Sequence, residues 1–208
     1  MSEGRWRQIA EDAIEIRARN SEHAQQISKR LRNALEACEA VPGIETVTIM
    51  FDPITVNVAQ VESQLLEAYT DAPTSFEAEM PQIEIDVRYG GEYGPDLNMV
   101  CEILELSEDQ FIKQHSELLH RVDMIGFTPG FAYVSGLDTK HKVSRLKAPR
   151  PRLPAGSIGI SGAFTGLYSL AGPGGWPIVG KTETMLFDPA AEEPFLLQPG
   201  QSVAFRSI

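Results

Sequence analysis

Between Ala13 and Arg88 the chain alternates two hydrophobic periods. Ala13-Ile14-Glu15-Ile16-Arg17-Ala18 repeats every second residue, the pattern of a half-buried strand. Ser21 is placed to cap a helix, and Ala24, Ile27, Leu31, Leu35 and Cys38 then fall on one helical face. Pro42-Gly43 is the predicted stop. Ile44 to Phe51 is rich in β-formers, and a second helix after Pro53 turns Val58, Val61, Leu65 and Tyr69 inward. Ile83, Ile85 and Val87 alternate with Glu84, Asp86 and Arg88 as another strand. These elements predict an α+β domain over residues 1–90, helices packed on a small sheet.

Gly90-Gly91-Glu92-Tyr93-Gly94-Pro95 reads as a flexible junction. Beyond it, over 91–208, two short helices come first. One spans about Asp96 to Leu104; the other begins at a Ser107/Gln110 capping box, in which each side chain satisfies the other residue's free amide. From Leu119 the helical period is lost. Short apolar runs separated by Gly and Pro predict an all-β barrel or sandwich. Phe195-Leu196-Leu197, Pro199-Gly200 and Val203-Ala204-Phe205 read as strand, turn, strand.

Composition narrows the function classes. Of 208 residues, 42% are hydrophobic, enough for a core. The net charge of -11 repels a phosphate backbone and predicts no nucleic-acid partner. No run approaches the ~20 apolar residues of a membrane helix. Met1 to Ala10 carries Glu3, Arg5 and Arg7 with no apolar run, so no signal peptide is expected and the predicted compartment is the cytoplasm. Cys38 and Cys101, both on segments read as helix, have no metal-ligand or CxxC spacing and are expected as reduced, partly buried thiols. No histidine or carboxylate set has zinc spacing.

Candidate chemistry concentrates between His115 and Thr182, where turn residues stand beside aromatics and basic groups. Gly175-Trp176-Pro177-Ile178-Val179-Gly180-Lys181-Thr182 matches the Walker A letters. A phosphate loop, however, must lead straight into a helix. Pro177 removes an amide and Ile178-Val179 favours strand, so a turn entering a strand is expected. His115 can be a general base or substrate ligand, or only a polar residue at a helix end; His120, His141 and His23 are weaker candidates. Arg150 and Arg152 flank Pro151 and can clamp an anion, or can be a solvated basic loop. Gly156-Ser157 can present a hydroxyl or amides to an anion, or be a turn. Phe127, Phe131, Tyr133, Tyr168 and Trp176 can wall a small pocket or fill a core.

Taken in order, His115-Ser116, Arg121-Val122, Gly126-Phe127-Thr128-Pro129-Gly130-Phe131-Ala132-Tyr133, Pro149-Arg150, Leu153-Pro154-Ala155-Gly156-Ser157, Thr165-Gly166-Leu167-Tyr168, Pro173-Gly174-Gly175-Trp176 and Gly180-Lys181-Thr182 resemble the family of the 5-oxoprolinase B subunit. That family is also called allophanate hydrolase subunit 1, and it includes the sporulation-kinase inhibitor KipI. The ordered match spans Pro81 to Phe205. Ser169, Gly172, Arg145-Leu146 and Lys181 depart from the common pattern. The resemblance implies a small N-terminal α+β domain followed by a cyclophilin-like β-barrel. It implies an ATP-dependent opening of 5-oxoproline to glutamate, with Mg as companion ion. The implied partners are the KipA-like C subunit and the A subunit of the same enzyme. It further implies a chain inactive alone. On the motif positions, His115, Arg150, Arg152 and Ser157 become candidate catalytic residues. Phe127, Pro129, Gly130, Phe131, Tyr133, Gly156, Thr165, Tyr168, Gly174, Gly175 and Trp176 become candidate substrate-binding residues. The alternatives are a regulator that docks on a histidine kinase and a carboxyltransferase-like component of a urea carboxylase/allophanate pathway.

Overall fold

The computed structural model describes residues 6–34, 38–74, 81–137 and 142–208, in two compact units, Met1–Glu79 and Met80–Ile208.

In the first unit, four antiparallel strands lie in the order β1-β2-β4-β3: β1 (Trp6–Ala10), β2 (Ala13–Arg17), β3 (Cys38–Pro42) and β4 (Thr46–Phe51). Helices α1 (Ser21–Ala34) and α2 (Val58–Asp71) share a core with the sheet. Ile14, Ile16, Val47 and Ile49 alternate inward from β2 and β4, and meet Ala24, Ile27, Leu31, Val61 and Leu65 from the helices. The two periods in the sequence thus become the two layers.

Three local expectations change. Asn20, not Ser21, caps α1: its Oδ1 accepts the His23 amide at 2.8 Å. Cys38 lies on a strand, and Leu35 falls outside the described residues. Cys38 to Pro42 pair with β4, so Pro42 closes a strand rather than a helix. Trp6–Ala10 forms an additional edge strand; it is almost wholly exposed and carries no alternating core face to announce it.

The second unit contains β5 (Ile83–Tyr89), α3 (Leu97–Leu104), α4 (Glu108–Glu117), β6 (Leu119–Ile125), β7 (Ala132–Ser135), β8 (Arg150–Leu153), β9 (Ser157–Ser161), β10 (Phe164–Leu167), β11 (Gly172–Gly174), β12 (Ile178–Lys181) and β13 (Ser202–Ser207). Seven strands close a barrel in the order β10-β7-β6-β13-β5-β12-β9, with β9 pairing back to β10. Strands β8 and β11 form a separate two-stranded ribbon. The α+β class with a barrel is the observed architecture; a sandwich is not.

Strand β5 belongs to the barrel, not to the N-terminal domain. It runs parallel to β13 and antiparallel to β12, so the units divide at residues 79/80 rather than at 90. The Ser107/Gln110 capping box on α4 is present. Phe195 makes only an isolated bridge with Phe187, so 195–197 is not a regular strand. Both cysteines are free. Burial pushes the Cys101 thiol up to about 11, well away from a reactive thiolate.

Candidate functional site

A concavity of about 390 Å³ opens on the second unit, within the usual range for small-molecule sites. Phe127, Phe131, Tyr133, Tyr168 and Trp176 line it with Gly174, Gly175, Pro149, Pro173, Arg145 and Leu146. Phe131 is the hub. Its ring meets Phe127, Tyr133, Tyr168 and Trp176 edge-on at 4.9 to 5.9 Å between centroids. Such edge-to-face contacts set the negative face of one ring against the positive edge of the next.

The backbone explains how the rings come so close. A Cβ on Gly166 would lie 2.7 Å from the Trp176 ring and 2.8 Å from Phe131. On Gly174 it would lie 2.7 Å from the Tyr168 hydroxyl. Only glycine leaves that space. Phe127 sits at φ 73°, the left-handed region, which costs a non-glycine residue roughly 1–2 kcal/mol. The residue is 65% exposed, at the rim. Burial holds the Tyr133 and Tyr168 phenols above their ordinary value, so both remain proton donors, while the Arg145 charge opposes the shift.

Gly156, Ser157 and Pro129-Gly130 support this wall from outside the lining. The Gly156 amide donates to the Tyr168 carbonyl at 2.7 Å, and the Tyr168 amide donates to the Ser157 carbonyl at 2.9 Å. The Ser157 hydroxyl is buried and donates to the Pro154 carbonyl at 2.8 Å, so it is not presented to the concavity. Gly130 turns the chain at φ 75° just before Phe131.

His115 does not join the pocket. It is fully buried, stacked between Phe111 and Phe205, with ring planes 16° and 14° from parallel. Its Nδ1 lies 2.6 Å from the Tyr89 hydroxyl and its Nε2 lies 3.0 Å from Thr165 Oγ1. Burial, with His120 adjacent, holds its pKa well below the ordinary value. The ring is therefore neutral, one nitrogen donating and the other accepting. Thr165 is also fully buried, so both positions serve the barrel interior.

Arg150 is occupied. Its Nη1 and Nη2 donate to Asp96 Oδ2 and Oδ1 at 2.8 and 2.7 Å. Asp96 Oδ2 also accepts the Ile178 amide at 2.6 Å. This node joins the ribbon, the start of α3 and strand β12. Arg152 is exposed on β8 and is not among the lining residues. The four candidate catalytic positions therefore do not share one concavity, whereas seven of the eleven candidate binding positions line it. In the sequence, Arg145-Leu146 stands out only as a departure from the family pattern, and Asp96 only as the start of a helix. Arg145 and Leu146 sit on an irregular loop without periodicity, and Asp96 acts across 54 residues.

The Walker-like stretch enters a strand at Ile178–Lys181, as its residue types predict. Lys181 Nζ pairs with Glu183 at 2.9 Å.

Comparison with known proteins agrees with this architecture. The family model for the carboxyltransferase domain, subdomain C and D, matches residues 5–197. The 5-oxoprolinase B subunit of Escherichia coli O157:H7 is 41% identical over 180 residues, covering 86% of this chain and 82% of its own length. That of Bacillus subtilis (strain 168) is 36% identical, covering 82% and 75%. Among solved structures, TTHA0988 superimposes with a TM-score of 0.77 at 30% identity over 95% of this chain; the chain spans only 40% of that protein. Pyrococcus horikoshii PH0987 is 35% identical over 95% of this chain and 94% of its own, with a TM-score of 0.59. Kluyveromyces lactis urea carboxylase gives 0.81 over 98% of this chain and 21% of its own, a likeness of fold at 16% identity. The chain therefore belongs to the carboxyltransferase subdomain C and D family, among relatives named as the B subunit of 5-oxoprolinase.

Proposed function

We propose that this chain is the B subunit of a cytoplasmic, ATP-dependent 5-oxoprolinase, and that the aromatic concavity receives the lactam. In this reading it acts with the C and A subunits to open 5-oxoproline to glutamate. The observation that carries the reading is the identity of 36–41% to proteins named as the 5-oxoprolinase B subunit, over three quarters or more of both chains. The pocket supports it, because seven of the eleven candidate binding positions line it.

The chemistry divides between holding and activating. A small ring can lie against Phe131 and Trp176, which exclude water, while the Tyr133 and Tyr168 hydroxyls are available as donors. Activation of the lactam oxygen by ATP needs amides or cations converging on a polyphosphate. The residues that most resemble such a cradle do not fit one: the Ile178 amide is taken by Asp96, β12 is paired on both sides, and Lys181 is paired with Glu183. The described residues also contain no cluster of three or more His, Cys, Asp or Glu suited to a metal ion. The nucleotide and its Mg ion accordingly belong, in this reading, to a site completed by the other subunits, and this chain is inactive alone.

Omit-one reconstitution tests the proposal. Steady-state ATP hydrolysis dependent on 5-oxoproline is measured with this chain and the C and A subunits together, and with each left out. The expected result is turnover only with all three. Full-rate turnover without this chain would reject the assignment. Carboxyl transfer is the second reading, favoured by the description of the family model over residues 5–197; it requires a biotinylated partner and predicts carboxylation in place of lactam opening.

A further inference from the structure

Arg145 is the one charged group among the described residues lining the aromatic concavity. The loop that carries it is pinned to the wall: the Leu146 amide donates to the Gly175 carbonyl at 2.7 Å, and both residues line the site. Of the other cations of the adjoining strands, Arg152 on β8 does not line the concavity, and two are already engaged. Arg150 is forked onto Asp96, and Lys181 is paired with Glu183. Among the described residues no carboxylate pairs with Arg145, although acidic residues outnumber basic ones 29 to 18 in the chain. Arg145, Tyr133 and Tyr168 line the same concavity, and the Arg145 charge acts on both phenols.

We infer that Arg145 is a specificity-determining residue that recognises the carboxylate of a small cyclic acid whose ring rests on Phe131 and Trp176. The inference rests on the reading of the concavity as the substrate site and adds the ligand class and orientation. A guanidinium offers two parallel N–H donors that match the two oxygens of a carboxylate. Phenolic hydroxyls beside it can donate to the same oxygens, because both phenols are protonated. The apolar wall favours a compact ring, and the mouth, where Arg145 meets solvent, favours the anionic end. A nucleic acid or a long acidic peptide is disfavoured by the size of the concavity and by the overall negative charge.

Equilibrium binding by titration calorimetry on the full chain tests this with three ring compounds. They are 5-oxoproline, cyclopentanecarboxylate (the acid without the lactam) and 2-pyrrolidinone (the lactam without the acid). The wild type is expected to bind both acids at least about ten-fold more tightly than 2-pyrrolidinone, the scale of one charge-assisted contact. Arg145→Ala should abolish that preference, and Arg145→Lys should restore part of it. Melting curves of both variants should match the wild type, because the side chain is exposed. A preference for acids that survives in Arg145→Ala overturns the inference, as does a wild type that fails to bind the acids or does not distinguish the three compounds. Arg145-dependent binding of both acids, without 5-oxoproline-driven turnover by the reconstituted complex, would reject the oxoprolinase reading and leave this inference standing.

Discussion

At the scale of single residues, His115 shows how packing overrides chemical type. Its ring fills a slot between Phe111 and Phe205 and links the Tyr89 and Thr165 hydroxyls. Truncation to alanine would leave both hydroxyls without this partner and a cavity between two rings. We expect His115→Ala to lose about 2–4 kcal/mol of stability in urea denaturation. The same side chain sets a pH dependence. Its folded pKa lies well below 6.5, so in acid the unfolded chain takes up a proton that the folded barrel refuses. The contribution is fully present above 6.5 and is lost as the pH falls below it. His120 and His23, lowered chiefly by burial, act in the same direction. The melting temperature should therefore fall between roughly pH 7.5 and 5.5, and His115→Gln should fall less steeply than the wild type over that range. An identical slope in the variant would contradict the assignment of a buried, neutral His115.

At the scale of elements, the Asp96–Arg150 fork holds together parts that are distant in the chain. Asp96, nearly buried at the start of α3, accepts from Arg150 on β8 and from the Ile178 amide on β12. Pro149, next to Arg150, and Trp176, two residues before Ile178, both line the concavity. Asp96→Ala would leave that amide and a partly buried guanidinium unpaired. The expected loss is about 2–3 kcal/mol, kept below the fully buried case because the Arg150 side chain is 32% exposed. A double-mutant cycle with Arg150→Met should show a coupling of about 1 kcal/mol or more. Additive losses would mean that the two residues act separately. Local signals made other elements legible in the sequence: the capping box of α4, the alternation of β2 and β4, and the inward face of α2. This node was not legible, because its partners lie 54 and 82 residues apart and nothing local marks them. Cys38 to Pro42 reads as the end of a helix for a related reason: its strand is defined by pairing with β4, not by its own alternation.

At the scale of the whole molecule, the barrel is closed by contacts between the ends of its own sequence. Strand β5 lies parallel to β13, with Asp86 paired to Arg206 across 120 residues. Composition and period could assign β5 to a strand but not to a sheet, so the boundary at residue 90 gave way to one at 79/80. The aromatic wall was more legible. Glycines and prolines at fixed places, needed to let rings approach, are visible in the sequence as a dense run of turn residues. The polar members of the same run were harder to place, since a buried histidine and an exposed arginine look alike until the barrel is closed. We propose that the concavity around Phe131 and Trp176 is where this chain meets its ligand. It is tested most directly by titrating the isotope-labelled chain with 5-oxoproline and following its resonances by NMR. Saturable shifts are expected at Phe131, Tyr133, Arg145, Tyr168, Gly174, Gly175 and the Trp176 indole, with His115 and Arg152 unmoved. Shifts centred on His115 or Arg152, or none at the aromatic wall at saturating ligand, would contradict it.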